Sequence, residues 1–431
     1  MHIFRKIYLL PFFFCSGYAL CAQRPLSFFL EAARQNNPAM RMDSLQAIAN
    51  RVALEQQKAM AAGPLVYAEG GLLMAPVLST DEGRTRLLVN PSKSTGDYYG
   101  YDLSLTNGGL YRGVVGLEQP LLAGPRVRVL RQQNELQDAQ LAHHSRMTIH
   151  QLEKVITDQY LLCLYALDQQ EVTRRLREVV QDQTRISAAL AKNALLYQAD
   201  VQLLHIETDR LTSLLATQQA SYTVQLLDLN TLCGIKDSSV VSLSAEALSF
   251  QTENAGTSGF TEQYRLDSLA LIQGQRVFNL RYKPQLSLYG SGGLNTAYAP
   301  DSYRRLGWQA GLRFTQVIFD GHQRQMNDRR VLMLAQATAW QTDFFLDQNG
   351  IRKTRLKTQV RALDEQAAAI QQQRQAYDSV LTLYKQQVIN GGFPIVNYLT
   401  LLRSRAGLEQ ELATVRYNRV LLVNEYNYWN W

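Results

Sequence analysis

The 431-residue sequence is poor in the residues that covalent chemistry and metal binding require. Only four cysteines are present, and two of them, Cys15 and Cys21, fall within the first 22 residues. Cys163 and Cys233 stand among apolar neighbours at helical spacing, the setting of small buried side chains; neither a disulfide nor a catalytic thiol is expected. His143, His144 and His150 lie on one predicted helix, but only His143 and His150 share a face. No cysteine or carboxylate cluster stands with them, so no metal site is expected. There is no nucleophile, base and orienter set and no phosphate-binding glycine loop, which argues against an enzyme and against a cofactor. The 44 basic and 37 acidic residues are dispersed along the chain, too mild a surplus for a nucleic-acid partner. Beyond residue 22 no long apolar run occurs, so no membrane-spanning helix is expected.

What is present begins with a secretory layout. Residues 1–22 carry Arg5 and Lys6, an apolar core and small residues at the end, and predict a signal peptide cleaved after Ala22. Its removal leaves 42 basic against 37 acidic residues, a net charge of +5. Most of the remainder predicts helix. Between Gly321 and Ile389 there is no proline and a single glycine, Gly350, in a run rich in Ala, Gln, Leu and Arg. At ~1.5 Å per residue such a helix is about 100 Å long. It breaks at residues 390–402, NGGFPIVNYLTLL, where Gly391 and Gly392 give the freedom a tight reversal needs and Pro394 suits the first turn of the next helix. The same design occurs earlier, with helix over 124–192, a turn near Lys192, Asn193 and Ala194, and helix over 199–232.

The two halves align at a constant offset of 197: Gln119 and Gly124 match Gln316 and Gly321, Ala194 and Val201 match Gly391 and Tyr398, and Leu232 matches Trp429. A duplication explains this. It predicts a first repeat over 23–234, a polar linker over 235–260 and a second repeat over 261–431. Each repeat opens with a helix, over about 26–62 and about 262–281, closed by Pro64 and Pro284. Period-two strands follow, over about 64–78 and 109–121, then about 284–297 and 306–319, and the second repeat ends in helices over 321–389 and 394–429. In the clearest strand Trp308, Ala310, Leu312, Phe314 and Ile318 share one face, opposite Gln309, Arg313 and Thr315. The first hairpin is 23 residues longer, which predicts an exposed loop around 79–107. A secretory signal together with apolar strand faces predicts a membrane β-barrel, yet one hairpin per repeat falls short of the roughly eight strands with which bacterial barrels begin. Several chains would have to close it.

This doubled order, with the exits Gln119-Pro120-Leu121-Leu122-Ala123-Gly124 and Gln316-Val317-Ile318-Phe319-Asp320-Gly321, resembles the TolC-type outer membrane efflux family. The resemblance covers essentially the whole mature chain and is strongest at residues 391–400. It implies a mainly α fold with membrane β: a homotrimer forming a 12-stranded β-barrel in outer membrane lipid, continued by a periplasmic α-helical barrel. It also implies a conduit for efflux or type I secretion that works with a periplasmic adaptor protein and an inner-membrane transporter, without a cofactor. The helical turns and adaptor contacts would involve Lys192, Asn193, Ala194, Gly391, Gly392 and Pro394. The barrel-to-helix junction would lie at Gln119, Gly124, Gln316 and Gly321, and the periplasmic aperture at Asp200, Phe393, Asn397 and Thr400.

At the aperture the sequence departs from the family. Neutral Asn397 and Thr400 occupy the positions of two pore-facing carboxylates, and Phe393 and Val388 those of a basic residue and a tyrosine that lock the closed state. Phe393 is expected either to form an apolar constriction with its copies or to pack on its own hairpin. Asp200 is expected either to pair with Lys192 or Lys385 or to cap its helix. A soluble periplasmic coiled-coil adaptor or scaffold, with the hairpins in an ordinary sandwich, is the alternative reading.

Overall fold

The computed structural model describes residues 23–74, 77–79, 83–88, 98–99, 109–193, 196–245, 247–253, 258–296, 304–389 and 394–431. The expected signal peptide lies outside them. Two compact units make up the chain, and each draws on both sequence halves. One comprises residues 42–145 and 259–346, the other the segment ending at residue 41 together with 146–258 and 347–431.

A single helix is expected over 26–62, but the chain forms α1 (Leu26–Asn36) and α2 (Pro38–Ala62). Proline disfavours helical backbone at the residue before it, and Asn37 is extended at φ −65°, ψ 126° while its N–H still donates to Ala33 O at 2.9 Å. Pro38 then takes the first helical position, where its missing N–H costs nothing.

The first unit holds the strands: β1 (Leu65–Met74), β2 (Val77–Ser79), β3 (Arg86–Leu88), β4 (Tyr98–Tyr99), β5 (Gly109–Pro120), β6 (Gln285–Thr296) and β7 (Leu306–Thr315). The main sheet has the order β1-β5-β6-β7, with every pair antiparallel. Within the region around 79–107, expected as loop, β3 and β4 form short strands that pair with β2 in a small sheet of order β3-β2-β4. Leu87, Leu88, Tyr98 and Tyr99 are residue types that suit a pleated surface. The last strand, expected to reach 319, ends at Thr315. Helix α5 (Gly259–Phe278) and a turn of 3-10 helix (Asn279–Tyr282) precede β6. Two close approaches fix the sheet: the Tyr67 ring covers Gly116 and the Tyr289 ring covers Gly311, so that a Cβ would fall 2.4 Å and 2.8 Å from the respective tyrosine atoms. One tyrosine lies over one glycine in each hairpin.

Helices α3 (Gly124–Lys192) and α6 (Gln323–Ile389) contribute to both units. The second unit adds α1, α4 (Gln198–Leu232) and α7 (Ile395–Trp429). One core joins Phe29, Ile156, Tyr160, Leu226 and Leu229 with Cys163 and Cys233. Tyr160 donates its hydroxyl to Ser244 O at 2.6 Å, which ties the segment after α4 to this core. Farther along that segment Asn427 donates to Ser249 O at 2.9 Å and accepts from Gln251 N–H at 2.9 Å. The chain end packs inward: the His150 ring stacks on Tyr428 and Trp431, at 4.8 Å and 4.5 Å between centroids.

Cys163 and Cys233 are free and fully buried, and burial pushes each thiol up to about 12. Thiolate is the reactive form, so each is expected to react with a maleimide at pH 8 at least ~1,000-fold more slowly in the folded protein than an exposed thiol does. Stopped-flow labelling before and after denaturation checks this, and fast labelling of the folded protein would contradict the packing.

Candidate functional site

The main sheet sorts its charged side chains by face. Cross-strand pairing aligns Val66, Leu117, Gly290 and Ala310 in one row and Ala68, Val115, Gly292 and Trp308 in the next. No charged residue occurs on this face of any of the four strands. Most of it is exposed: Trp308 is 85 % exposed, Leu72 74 % and Phe314 64 %. The opposite face carries the polar groups. Arg112 pairs with Glu69 and Arg313 with Glu118, each at 3.4 Å, Ser287 donates to Glu118 at 2.8 Å and Gln309 to Ser291 at 3.0 Å. The outer strands β1 and β7 each have one partner, so both edges of the sheet are unpaired among the described residues.

Below the strands the junction residues do local work. Gln119, on β5, donates to Ala62 O at 2.7 Å and Pro120 O at 3.0 Å, joining the end of α2 to the strand exit. Gly124 opens α3. Gln316 lies between β7 and α6, and Gly321 takes φ +67°, a conformation that favours glycine. A residue not singled out from sequence governs this turn. The Tyr282 hydroxyl donates to Asp320, whose carboxylate also accepts from Arg324 N–H at 3.0 Å; these bonds hold Asp320 below the usual carboxylate range against the opposing effect of desolvation. The signal was present in sequence as an Asp-Gly pair opening a helix.

The helical turns lie in the second unit. Lys192 is the last residue of α3, and Asn193 follows with its N–H donated to Leu190 O at 3.1 Å; both side chains are exposed. Asp200 stands in the first turn of α4, where its charge complements the helix dipole. Among the described residues it forms no ion pair, so the expected pairing with Lys192 or Lys385 is not made. Pro394 is the N-cap of α7 rather than a residue of its first turn. Asn397 and Thr400 are exposed, on the side away from buried Ile395, Tyr398, Leu399 and Leu402, and Thr400 returns its hydroxyl to Val396 O at 2.9 Å. Ala194, Gly391, Gly392 and Phe393 lie outside the described residues.

The strongest electrostatic feature near these turns is one that sequence reasoning passed over. Glu207 is 1 % exposed and receives two arginines. Arg210 of the same helix donates at 2.9 and 2.7 Å; Arg403 of α7 donates Nε at 3.1 Å and Nη2 to the other oxygen. Burial alone would raise the pKa of Glu207, but the hydrogen bonds and charges of Arg210 and Arg403 outweigh it and lower it to about 2. The sequence did carry a sign of this, an acid set between Leu204 and Leu211 in an otherwise apolar register.

Long helices in two pairs and a four-stranded antiparallel sheet with one uncharged face define the TolC-type channel fold. Solved structures to which the chain is similar share this fold. CusC, described with transmembrane channel formation, matches at a TM-score of 0.66 and 14 % identity, over 94 % of this chain and 91 % of its own. The outer membrane protein VceC from Vibrio cholerae matches at 0.63 and 14 %, over 94 % and 96 %. The Campylobacter jejuni CmeC outer membrane channel matches at 0.64 and 12 %, over 94 % and 85 %. No protein-family model matches the sequence, and no curated protein does. At this identity the likeness establishes the fold.

Proposed function

We propose that this chain is the outer membrane channel of a tripartite efflux or type I secretion system. The observation that carries the reading is the main sheet face, exposed and without a charge on any strand. Hydrocarbon tolerates such a face, and an unpaired sheet edge in lipid is tolerated only if another strand closes it. Because the four strands alternate in direction, β7 of one copy can pair antiparallel with β1 of the next, and three copies close a barrel. No helix among the described residues is long and apolar enough to cross a membrane. The polar face, with its two ion pairs, then lines the lumen.

In this reading the periplasmic aperture is formed by Asp200, Asn397, Thr400 and Phe393, and grooves at the two turns receive a periplasmic adaptor that links to an inner-membrane pump. Cargo is moved and not converted, so no catalytic residue is assigned. The neutral Asn397 and Thr400 predict weak block by cations. In planar bilayers, the Asn397→Asp, Thr400→Asp double variant is expected to be blocked by a trivalent cation at about tenfold lower concentration than the parent, because carboxylates would then face one another across the pore. Equal block would remove these positions from the aperture. The soluble adaptor alternative requires the uncharged sheet face to be covered by protein, and among the described residues most of it is exposed.

A further inference from the structure

We propose that a cavity of the strand-bearing unit is a binding site for a single-chain amphiphilic anion, a fatty-acid carboxylate or a chemical equivalent. The cavity has a volume of about 510 Å³ and lies where the lower ends of the strands meet the end of α2, the start of α3 and the 3-10 turn. That is within the range of roughly 300–1,000 Å³ common to small-molecule sites. Its chemistry is divided. Met60, Leu65, Leu280 and Leu286 supply an apolar wall. Arg126 and Lys283 line the same space, and among the described residues neither forms an ion pair. The other charges there are already matched: Glu118 is paired with Arg313 at 3.4 Å and accepts from Ser287 at 2.8 Å. What is left uncompensated is positive. The N-terminus of α3, whose first turn holds no acidic residue, adds its partial positive charge beside Arg126. A neutral hydrocarbon would leave both cations unpaired, and a cation would meet them; an anionic head with one apolar tail satisfies both halves. The inference goes beyond the channel reading, since all the lining residues belong to one unit of one chain.

The test uses the whole protein in lipid nanodiscs with a dodecanoate carrying a terminal diazirine, photolysed and mapped by peptide mass spectrometry. Dodecanol with the same diazirine is the neutral control, and phosphatidylglycerol labelled in one acyl chain reports a bilayer source. The carboxylate is expected to label peptides containing Met60 or Leu280 at least about fivefold more than the alcohol does, the gain two solvent-facing cations provide. Arg126→Gln with Lys283→Gln is expected to abolish that excess, and Leu286→Trp, which fills the space, to abolish all labelling there. Lys353→Gln in the other unit is expected to change nothing. Equal labelling by the alcohol, stronger labelling by the phospholipid, or labelling only on the uncharged sheet face would each overturn the proposal.

Discussion

Arginine at position 310 is expected to destabilise the membrane-inserted protein by about 2–4 kcal/mol, whereas arginine at position 309 is expected to cost less than about 1 kcal/mol. The two residues are neighbours on β7 and both are exposed. They differ in face: Ala310 stands in the row with Val66, Leu117 and Gly290, and Gln309 on the side of Glu118 and Arg313. In water the two substitutions would be nearly equivalent, since both side chains reach solvent. In a bilayer one guanidinium meets hydrocarbon and the other a wet lumen, and the difference between the variants measures that asymmetry directly. Folding into lipid vesicles, titrated with urea and read by resistance to heat dissociation, gives the comparison. Equal costs for Ala310→Arg and Gln309→Arg would place the sheet in water.

The second large effect concerns Glu207. Its carboxylate bonds Arg210 on α4 and Arg403 on α7 from a buried position, and removing one member of such a set leaves the others without their partner. The arginine side chains are about half exposed, at 50 % and 52 %, so water recovers part of the loss. Glu207→Ala is therefore expected to cost about 3 kcal/mol, near the low end for a buried pair, and Arg403→Ala about 1–2 kcal/mol because Arg210 remains. The pH dependence has a definite sign. The folded-state pKa is lowered from 4.5 to about 2, so the contribution is complete above pH 4.5 and is lost as pH falls from 4.5 towards 2. Urea midpoints followed by far-UV circular dichroism at pH 7 and pH 3 check both statements. The parent should lose stability between these values, and Glu207→Ala should lose less. A parent and variant that fall in parallel would contradict the assignment.

Much of the architecture could be read before any coordinates, for physical reasons that differ by element. The strands announce themselves because one face carries no charge, which leaves a clean alternation such as Trp308, Ala310, Leu312 and Phe314 against Gln309 and Arg313. The long helices do so through the absence of proline and glycine. Pro38 was equally visible, yet an N-terminal helix with a first-position proline and a helix broken before one differ by a single residue, Asn37, whose backbone no pattern reports. The short strands β3 and β4 pair with β2 from a polar segment with little periodicity, so length alone marked that segment as loop. The turns were legible as turns through Pro394 and the glycines before it, but which charges meet near them was not. Asp200 looked like the partner of a lysine or the cap of its helix, while the acid that holds two helices together is Glu207, seven residues further on and paired to an arginine 196 residues away. Sequence spacing carries information about neighbours on one helix, and Arg210 satisfies that rule; it carries none about which helix packs opposite.

The central claim, that copies of this chain close one barrel in the outer membrane, is tested most directly by the mass of the species extracted from that membrane. Cells are fractionated, the outer membrane is solubilised in a mild detergent, and the purified protein is weighed by light scattering with the detergent contribution subtracted. The account predicts a complex of three copies that dissociates to single chains on heating. A soluble single chain recovered from the periplasm would contradict it and return the soluble coiled-coil adaptor as the reading of this fold.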